Sequence, residues 1–151
     1  MTPGEELRYL ILAVQREGNR QLSEVLRTLN ITPAQAEVLL VLQHYQPLTL
    51  VELGERLVCE AGSPSRLVKS MVEAGWVEKS ANPNDGRAVH LRLSPVAQQM
   101  LPMLNTLDQQ FNATVAATFD SRTLVSLIEM LWLAAADTPS GQALLRRKQN
   151  Q

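Results

Sequence analysis

The chain has 151 residues, of which 45% are hydrophobic, and its 14 basic and 15 acidic side chains give a formal net charge of −1. This length and composition predict one globular domain with a hydrophobic core and exclude a disordered chain. No apolar run approaches the roughly 20 residues that span a bilayer, so we expect no membrane partner. The first residues lack a signal-peptide pattern, and the lone cysteine, Cys59, excludes an internal disulfide framework. We therefore expect a cytoplasmic protein.

Positive charge is concentrated in one part of the chain. Residues 63–92 contain five basic and three acidic side chains, whereas residues 33–62 contain one basic and four acidic ones. Only the face that approaches a polyanion has to be positive, so a net charge near zero does not exclude a nucleic-acid partner.

The first half of the chain carries strong helix signals. Apolar residues recur at helical spacing over residues 4–29, which predicts one long amphipathic helix with a weak point at Gly18. Thr32-Pro33-Ala34-Gln35 then combines a cap, a proline at the first helical position and a glutamine that completes a capping box. The helix that follows, through Tyr45, is apolar on all sides and is therefore expected to be central and buried.

A helix-turn-helix follows this central helix. Thr49 and Glu52 form a second capping box at the start of a helix of about ten residues, whose apolar positions are Leu50, Leu53 and Leu57. A short turn over residues 59–62 leads to a second helix, Ser63 to Ala74, with Gly75 as its stop. Two helices joined by so short a turn are typical of the helix-turn-helix unit.

The periodicity then changes from helix to strand. Val89, Leu91 and Leu93 alternate with polar residues, which predicts a half-buried strand. Residues 76–79 can pair with it, and residues 80–86 form a string of turn residues between the two strands. A β-hairpin directly after the second helix of a helix-turn-helix is a wing.

The C-terminal third is predicted to be helical again. One helix begins at Ser94-Pro95 and contains Pro102, which should bend it. The next begins at Asp120 and is broken at residues 138–141, and the basic tail 146–148 is predicted to be a solvated end rather than a DNA contact. The apolar stripes of the first helix and of these last helices have no evident partner in so small a domain, which indicates pairing with a second copy.

The predicted fold is mainly α with a small β-wing (α+β). It forms a single unit over residues 1–151, with a winged helix-turn-helix lobe at 32–94. Residues 4–29 and 95–148 form a helical dimerisation region built from both termini.

This pattern resembles the multiple-antibiotic-resistance regulator (MarR) family of winged helix-turn-helix proteins. The similar segments are Ile31–Gln35, Leu50–Leu57, Ser63–Val77, Asn84–Arg87 and Leu91–Ser94. The Asp-x-Arg wing signature of the family falls on Asp85 and Arg87. The resemblance implies a homodimeric regulator that binds double-stranded DNA. It further implies a repressor that a small aromatic or phenolic effector releases from a pseudo-palindromic operator, with no cofactor.

The expected DNA contacts lie on the second helix and on the wing. Leu67, Val68, Met71 and Val72 are predicted to face the core, which leaves polar residues of that helix for DNA: Ser63, Ser65, Arg66, Lys69 and Ser70. The planar fork of Arg66 matches the two acceptors of guanine, and Lys69 and the serines suit phosphates. By resemblance, Arg87 enters the minor groove while Asp85 pairs with it. The alternative is that Asp85 and Arg87 only close the hairpin.

The effector site is left open by the sequence. A pocket is expected where the first helix, the central helix near His44 and Tyr45, and the bent helix at Pro102 meet. The same residues equally suit plain core packing.

Other functions remain as alternatives or are excluded. Cys59 in the turn suggests a redox-responsive regulator, and the low basic charge permits a winged-helix protein–protein adaptor that does not bind DNA. His44 and His90 have no nucleophile beside them, so no enzyme is expected. Two separated histidines and one cysteine give no metal-ligand cluster.

Overall fold

Short local signals set the helix starts in this protein. A computed structural model describes residues 1–59 and 63–149 and contains the predicted caps. Thr32 Oγ1 accepts a hydrogen bond from Gln35 N (3.2 Å), and Gln35 Oε1 accepts one from Thr32 N (2.8 Å). Thr49 and Glu52 form the same reciprocal pair, and the hydrogen bonds from Thr49 lower the pKa of Glu52. Both predicted capping boxes are therefore confirmed.

The described part of the chain contains seven α-helices, one short 3₁₀ helix and three strands. Their bounds are α1 Pro3–Leu26, the 3₁₀ helix Arg27–Leu29, α2 Pro33–Tyr45, β1 Leu48–Thr49, α3 Leu50–Gly54, α4 Pro64–Glu73, β2 Val77–Asn82, β3 Asp85–Leu93, α5 Pro95–Ala116, α6 Ser121–Ala135 and α7 Pro139–Lys148. None of the described helices is by itself both long enough and apolar enough to cross a membrane.

The core is centred on α2, as predicted. Val38, Leu39 and Leu42 have no exposed surface, and residues of α3, α4, α5 and all three strands pack around them. The apolar run of α2 is helical because its capped start commits it to a helix, and burial on all sides then stabilises it by hydrophobic transfer.

Two details of the helix-turn-helix differ from the sequence prediction. α3 ends at Gly54, so it has five residues and not about ten. Arg56 N donates to Leu53 O (2.9 Å), a tighter bond of the 3₁₀ type that still brings Leu57 into the core. α4 ends as predicted: Gly75 has a φ of +76°, a backbone conformation that glycine adopts at little cost, and Trp76 N closes the end on Met71 O (2.9 Å).

The wing is longer and tighter than predicted. β3 is the central strand of an antiparallel sheet with the order β1-β3-β2. The predicted turn over residues 80–86 is wrong, because β2 extends to Asn82 and β3 begins at Asp85. Asn82 Oδ1 accepts from Asn84 N (2.9 Å), and this local bond closes the hairpin within two residues.

α7 is a helix that the sequence analysis missed. Residues 138–141 break the preceding helix as predicted, but Thr138 also caps α7 by accepting from Gly141 N (3.0 Å). Gly141 and Ala143 of α7 are buried. The chain therefore turns back after α6 instead of ending in a solvated tail.

Candidate nucleic-acid interface

The exposed face of α4 carries the polar residues that the sequence selected. Val68 and Met71 are buried at 3% and 0% exposure, and Leu67 and Val72 are partly buried against the core. The opposite face therefore presents Ser65, Arg66, Lys69 and Ser70 to solvent. A strongly amphipathic helix of this kind has one side for packing and one for a partner.

The polar residues of α4 differ in how far they are engaged within the protein. Lys69 Nζ lies 3.9 Å from Glu73, an exposed pair that contributes little to stability. Ser70 Oγ donates to Leu67 O (2.7 Å) in its own helix, which leaves the lone pairs of its oxygen for a donor. Ser63 lies at the N-cap, where its carbonyl oxygen accepts from Arg66 N (3.2 Å). No ion pair joins Arg66 to any residue in the ranges 1–59 and 63–149.

The Asp85–Arg87 pair exists, but its geometry differs from the expected one. Asp85 Oδ1 accepts a hydrogen bond from the backbone N of Arg87 (3.0 Å). The expected contact between the carboxylate and the guanidinium is wrong, because Arg87 forms no ion pair within 4 Å with the described residues. Asp85 thus shapes the start of β3, and the Arg87 guanidinium remains exposed and open to an anion.

A basic cleft of about 470 Å³ lies between α4, the start of α3 and the wing. Three cations border it, Lys69 from α4, Lys79 from β2 and Arg87 from β3, and no acidic side chain lines it. The remaining lining residues are Thr49, Leu50, Val51, Ser65, Val68, Ala88, Val89 and Leu91. Three positive charges around one depression with no acidic side chain in its lining form an attractive site for phosphate groups.

Lys79 is a residue of the cleft that the sequence analysis did not select. Lys79 was counted among the basic residues of the segment 63–92. Its position in the fold depends on the register of β2 against β3, in which Lys79 pairs with Leu91. Since Leu91 also lines the cleft, the correct strand register would have located Lys79.

Glu37 of α2 organises the turn that precedes α4. Its two carboxylate oxygens accept from Val58 N (2.9 Å) and Cys59 N (2.8 Å), and the guanidinium of Arg147 pairs with it. Glu37 was missed because its partners lie 21 or more positions away. The pairs of Arg147 with Glu37 and of Arg146 with Glu55 show that the predicted solvated basic tail is wrong.

Cys59 is an exposed residue whose thiol lies beside the Glu37 carboxylate. Burial of the thiol and the neighbouring Glu37 carboxylate raise the pKa of Cys59 to about 11. Reactive cysteines have a depressed pKa, because the thiolate is the nucleophile. The turn around Cys59 extends into residues 60–62, which lie outside the described ranges.

A second cavity of about 470 Å³, here called the interhelical cavity, lies between α2, α5 and α7. His44 and Tyr45 line it as predicted, but neither α1 nor Pro102 does. α7 lines the cavity in place of α1, through Arg147. Gln43 Oε1 in the wall is buried and accepts no hydrogen bond from the described part of the chain. In residues 1–59 and 63–149, no group of three acidic, histidine or cysteine side chains is placed to hold a metal ion.

A hairpin wing directly after a helix-turn-helix, with a basic cleft between them, defines a winged helix-turn-helix protein. A family model described as MarR family matches residues 31–89. The multiple antibiotic resistance protein MarR of Escherichia coli strain K12 is 39% identical over 85 residues, which cover 56% of this chain and 59% of that protein. The organic hydroperoxide resistance transcriptional regulator of Bacillus subtilis strain 168 is 32% identical over 89 residues, covering 59% of this chain and 60% of that regulator. The chain thus matches about three fifths of the length of these curated relatives.

Solved structures extend the similarity beyond the winged lobe. The C80S mutant of E. coli MarR complexed with operator DNA aligns with a TM-score of 0.78 and 29% identity, over 85% of this chain and 93% of that chain. An organohalide-sensing transcriptional regulator in its 2,4-dichlorophenol-bound form has a TM-score of 0.82 over 92% of this chain and 83% of that one. At 21% identity, this second match shows the fold alone. The chain is thus similar to MarR-family proteins in sequence over residues 31–89 and in fold over most of its length.

Proposed function

We propose that this protein is a transcriptional regulator that binds operator DNA through α4 and the wing. The observation that carries the proposal is the basic cleft, where Lys69 of the helix and Lys79 and Arg87 of the wing border one surface. The similarity to E. coli MarR, whose mutant structure contains operator DNA, supports it. In this class α4 lies in the major groove with its N-terminal end toward the base edges.

The residues of this surface divide by chemistry. Arg66, exposed and without an ion pair among the described residues, is assigned to a base contact, and one bidentate contact is worth about 1–3 kcal/mol of discrimination. Lys69, Ser63 and Ser65 are assigned to phosphates, which position the helix without reading sequence. Ser70 is assigned to a phosphate as well, and this contact requires its hydroxyl to turn away from Leu67 O. Arg87 is assigned to the minor groove, with Asp85 shaping the backbone that presents it.

The proposed unit is a homodimer. Large apolar side chains on α1 and α6 are 43–89% exposed in the single chain, and α6 has no buried residue. They are Leu7, Tyr9, Leu10, Ile11, Leu12, Val14, Val125, Ile128, Met130, Leu131 and Leu133. Many large apolar side chains exposed on the same helices mark an interaction surface, and in the proposed dimer the second copy covers both helices. Two copies of α4 about 34 Å apart then bind a pseudo-palindrome, as we expect for a repressor in the cytoplasm.

We propose the interhelical cavity as the site of a small effector that releases the DNA. Its volume suits a small molecule, and Gln43 in its wall has a buried Oε1 without a donor among the described residues, which a rotation of the side chain would present to a ligand hydroxyl. Tyr45 and His44 supply aromatic surface beside that acceptor. This combination favours a phenolic or similar aromatic hydroxyl compound.

Fluorescence anisotropy with DNA from the region upstream of the protein's own gene tests DNA binding. We expect the affinity to fall steeply between 50 and 200 mM salt, because phosphate contacts release counterions. Arg87→Ala is expected to weaken binding, whereas the matched control Arg20→Ala, on the exposed surface of α1, is not. Binding that neither weakens with salt nor drops on Arg87→Ala contradicts the proposal and favours a protein–protein adaptor.

A redox-responsive regulator is the second candidate, because one relative is an organic hydroperoxide resistance regulator. The raised pKa of Cys59 argues against it in this chain. If peroxide releases the DNA and Cys59→Ser abolishes that release, the redox function replaces the effector-released one.

A further inference from the structure

α7 lies across the turn of the helix-turn-helix and is bonded to it from several sides. Tyr45 Oη donates to Arg147 O (2.8 Å), which connects the last turn of α7 to the end of α2. Arg146 donates to Glu55 O (3.3 Å) and lies 3.7 Å from the Glu55 carboxylate. The other end of α7 is seated on α6 through the buried Gly141.

The strongest of these contacts are made by the guanidinium of Arg147. Its Nε donates to Arg56 O (2.7 Å), and its Nη2 bonds both Arg56 O and the Glu37 carboxylate. The side chains of Arg147 and Glu37 are 25% and 10% exposed, so solvent screens this pair less than a surface ion pair.

Arg147 and Glu37 together satisfy the backbone of the turn. Arg147 bonds the carbonyl of residue 56, and Glu37 bonds the amides of Val58 and Cys59. The bonds to Val58 N and Arg56 O are partly buried, and a backbone group that is buried without a partner costs about 1–3 kcal/mol. Besides the local hydrogen bonds that close the end of α3, the described part of the turn is therefore held by α2 and α7.

The end of α3, directly before the held turn, lies close to the start of α4. A Cβ added at Gly54 would lie only 3.3 Å from Pro64 Cγ, so the end of α3 packs closely against the first residue of α4. Displacing residues 55–59 therefore displaces the N-terminal end of α4, the end proposed to face the base edges.

We propose that α7 positions α4 for DNA and that Arg147 is the positioning residue through which it does so. The inference rests on the proposed function, in which α4 contacts DNA. α7 also joins α6, part of the proposed dimer surface, and Arg147 lines the interhelical cavity. A shift of α6 or an occupant of that cavity therefore acts on the same guanidinium that holds the turn.

The test uses the full chain and two measurements. Hydrogen–deuterium exchange without DNA reports on the amides of Val58 and Cys59, and anisotropy reports the dissociation constant for operator DNA. The test variant is Arg147→Ala. The matched control is Lys148→Ala, which removes the same charge from the same helix, where Lys148 lies over the Trp132 ring of α6 (5.1 Å) and not on the turn.

For Arg147→Ala we expect at least about tenfold faster exchange at these two amides and about tenfold weaker DNA binding, within the usual range of coupling between sites. Both are measured at a temperature where circular dichroism shows the variant fully folded. Glu37→Gln should have a similar effect, and its combination with Arg147→Ala should cost less than the sum of the two, because the two residues share one ion pair.

If Arg147→Ala fails to fold, Tyr45→Phe replaces it, since it removes only the hydroxyl that bonds α7. We then expect a smaller change in the same direction. Exchange and affinity that match Lys148→Ala overturn the inference. If the wild-type protein does not bind DNA, the proposed function is refuted, and so is the role of α7 in DNA binding. The exchange measurement then still decides whether Arg147 holds the turn.

Discussion

Replacing Gly141 with alanine is expected to destabilise the protein, although alanine is the better helix former. A Cβ at this position lies 1.8 Å from the carbonyl oxygen of Ala135, 2.6 Å from its carbonyl carbon and 3.2 Å from Ala136 Cα. All three are backbone atoms of α6 or its end, so no side chain can rotate away. α7 itself has to move.

The size of the effect follows from these distances. Since Cβ contacts shorter than 3.0 Å essentially never occur, α7 has to move away from α6 by at least about 1.2 Å. A shift of that size, carried along the helix, breaks the 2.7 Å bond from Arg147 to Arg56 O. Overpacking costs about 1–3 kcal/mol of stability, and the higher helix propensity of alanine offsets about 0.5–1 kcal/mol of that cost. We expect the free energy of unfolding to fall by about 1–2 kcal/mol.

Urea unfolding at one fixed protein concentration measures this, because the apparent stability of the proposed dimer would depend on concentration. Gly18→Ala is the matched control: Gly18 is also helical, but no atom lies within 4 Å of its added Cβ. It should stabilise the protein by about 0.5–1 kcal/mol. If both variants stabilise equally, α7 does not sit against α6 as described.

Three further predictions concern the DNA surface, the thiol and the dimer. Lys69→Ala should lower the slope of log affinity against log salt concentration by about two, because each copy of the proposed dimer loses one phosphate contact. The preference for operator over random DNA should stay unchanged, and a changed preference assigns Lys69 to a base instead. Because the pKa of Cys59 is raised from 9.0 to about 11, iodoacetamide should alkylate the folded protein at neutral pH about tenfold more slowly than the urea-unfolded chain. The thiolate is scarcer, but a more basic thiolate is also more nucleophilic, and equal rates contradict the raised pKa. Ile128→Asp combined with Leu131→Asp should weaken dimerisation at least about 100-fold in sedimentation, since a buried unpaired carboxylate costs several kcal/mol, while Glu129→Gln should remain dimeric. A double variant that is still fully dimeric removes α6 from the interface.

The sequence predicted the helix-turn-helix and wing because their signals are local. A threonine cap, a proline at the first turn and Gly75 at the helix end act on backbone within about four residues, so they are visible in a single sequence. The inward residues Val68 and Met71 followed from helical spacing in the same way. The wing turn was placed wrongly because Asn82 closes it early, a choice that depends on pairing with β3.

The sequence by itself determined the order of the elements, the buried face of α4 and the residues it exposes, since periodicity and caps specify these without distant contacts. Only the tertiary structure decided that Lys79 joins Lys69 and Arg87 around one cleft, and that α7 folds back onto the turn. Glu37 and Arg147 lie 110 positions apart, and their meeting depends on the packing of Gly141 against α6. No local rule encodes a contact of that separation, because it forms only once the core around α2 has fixed where the chain returns.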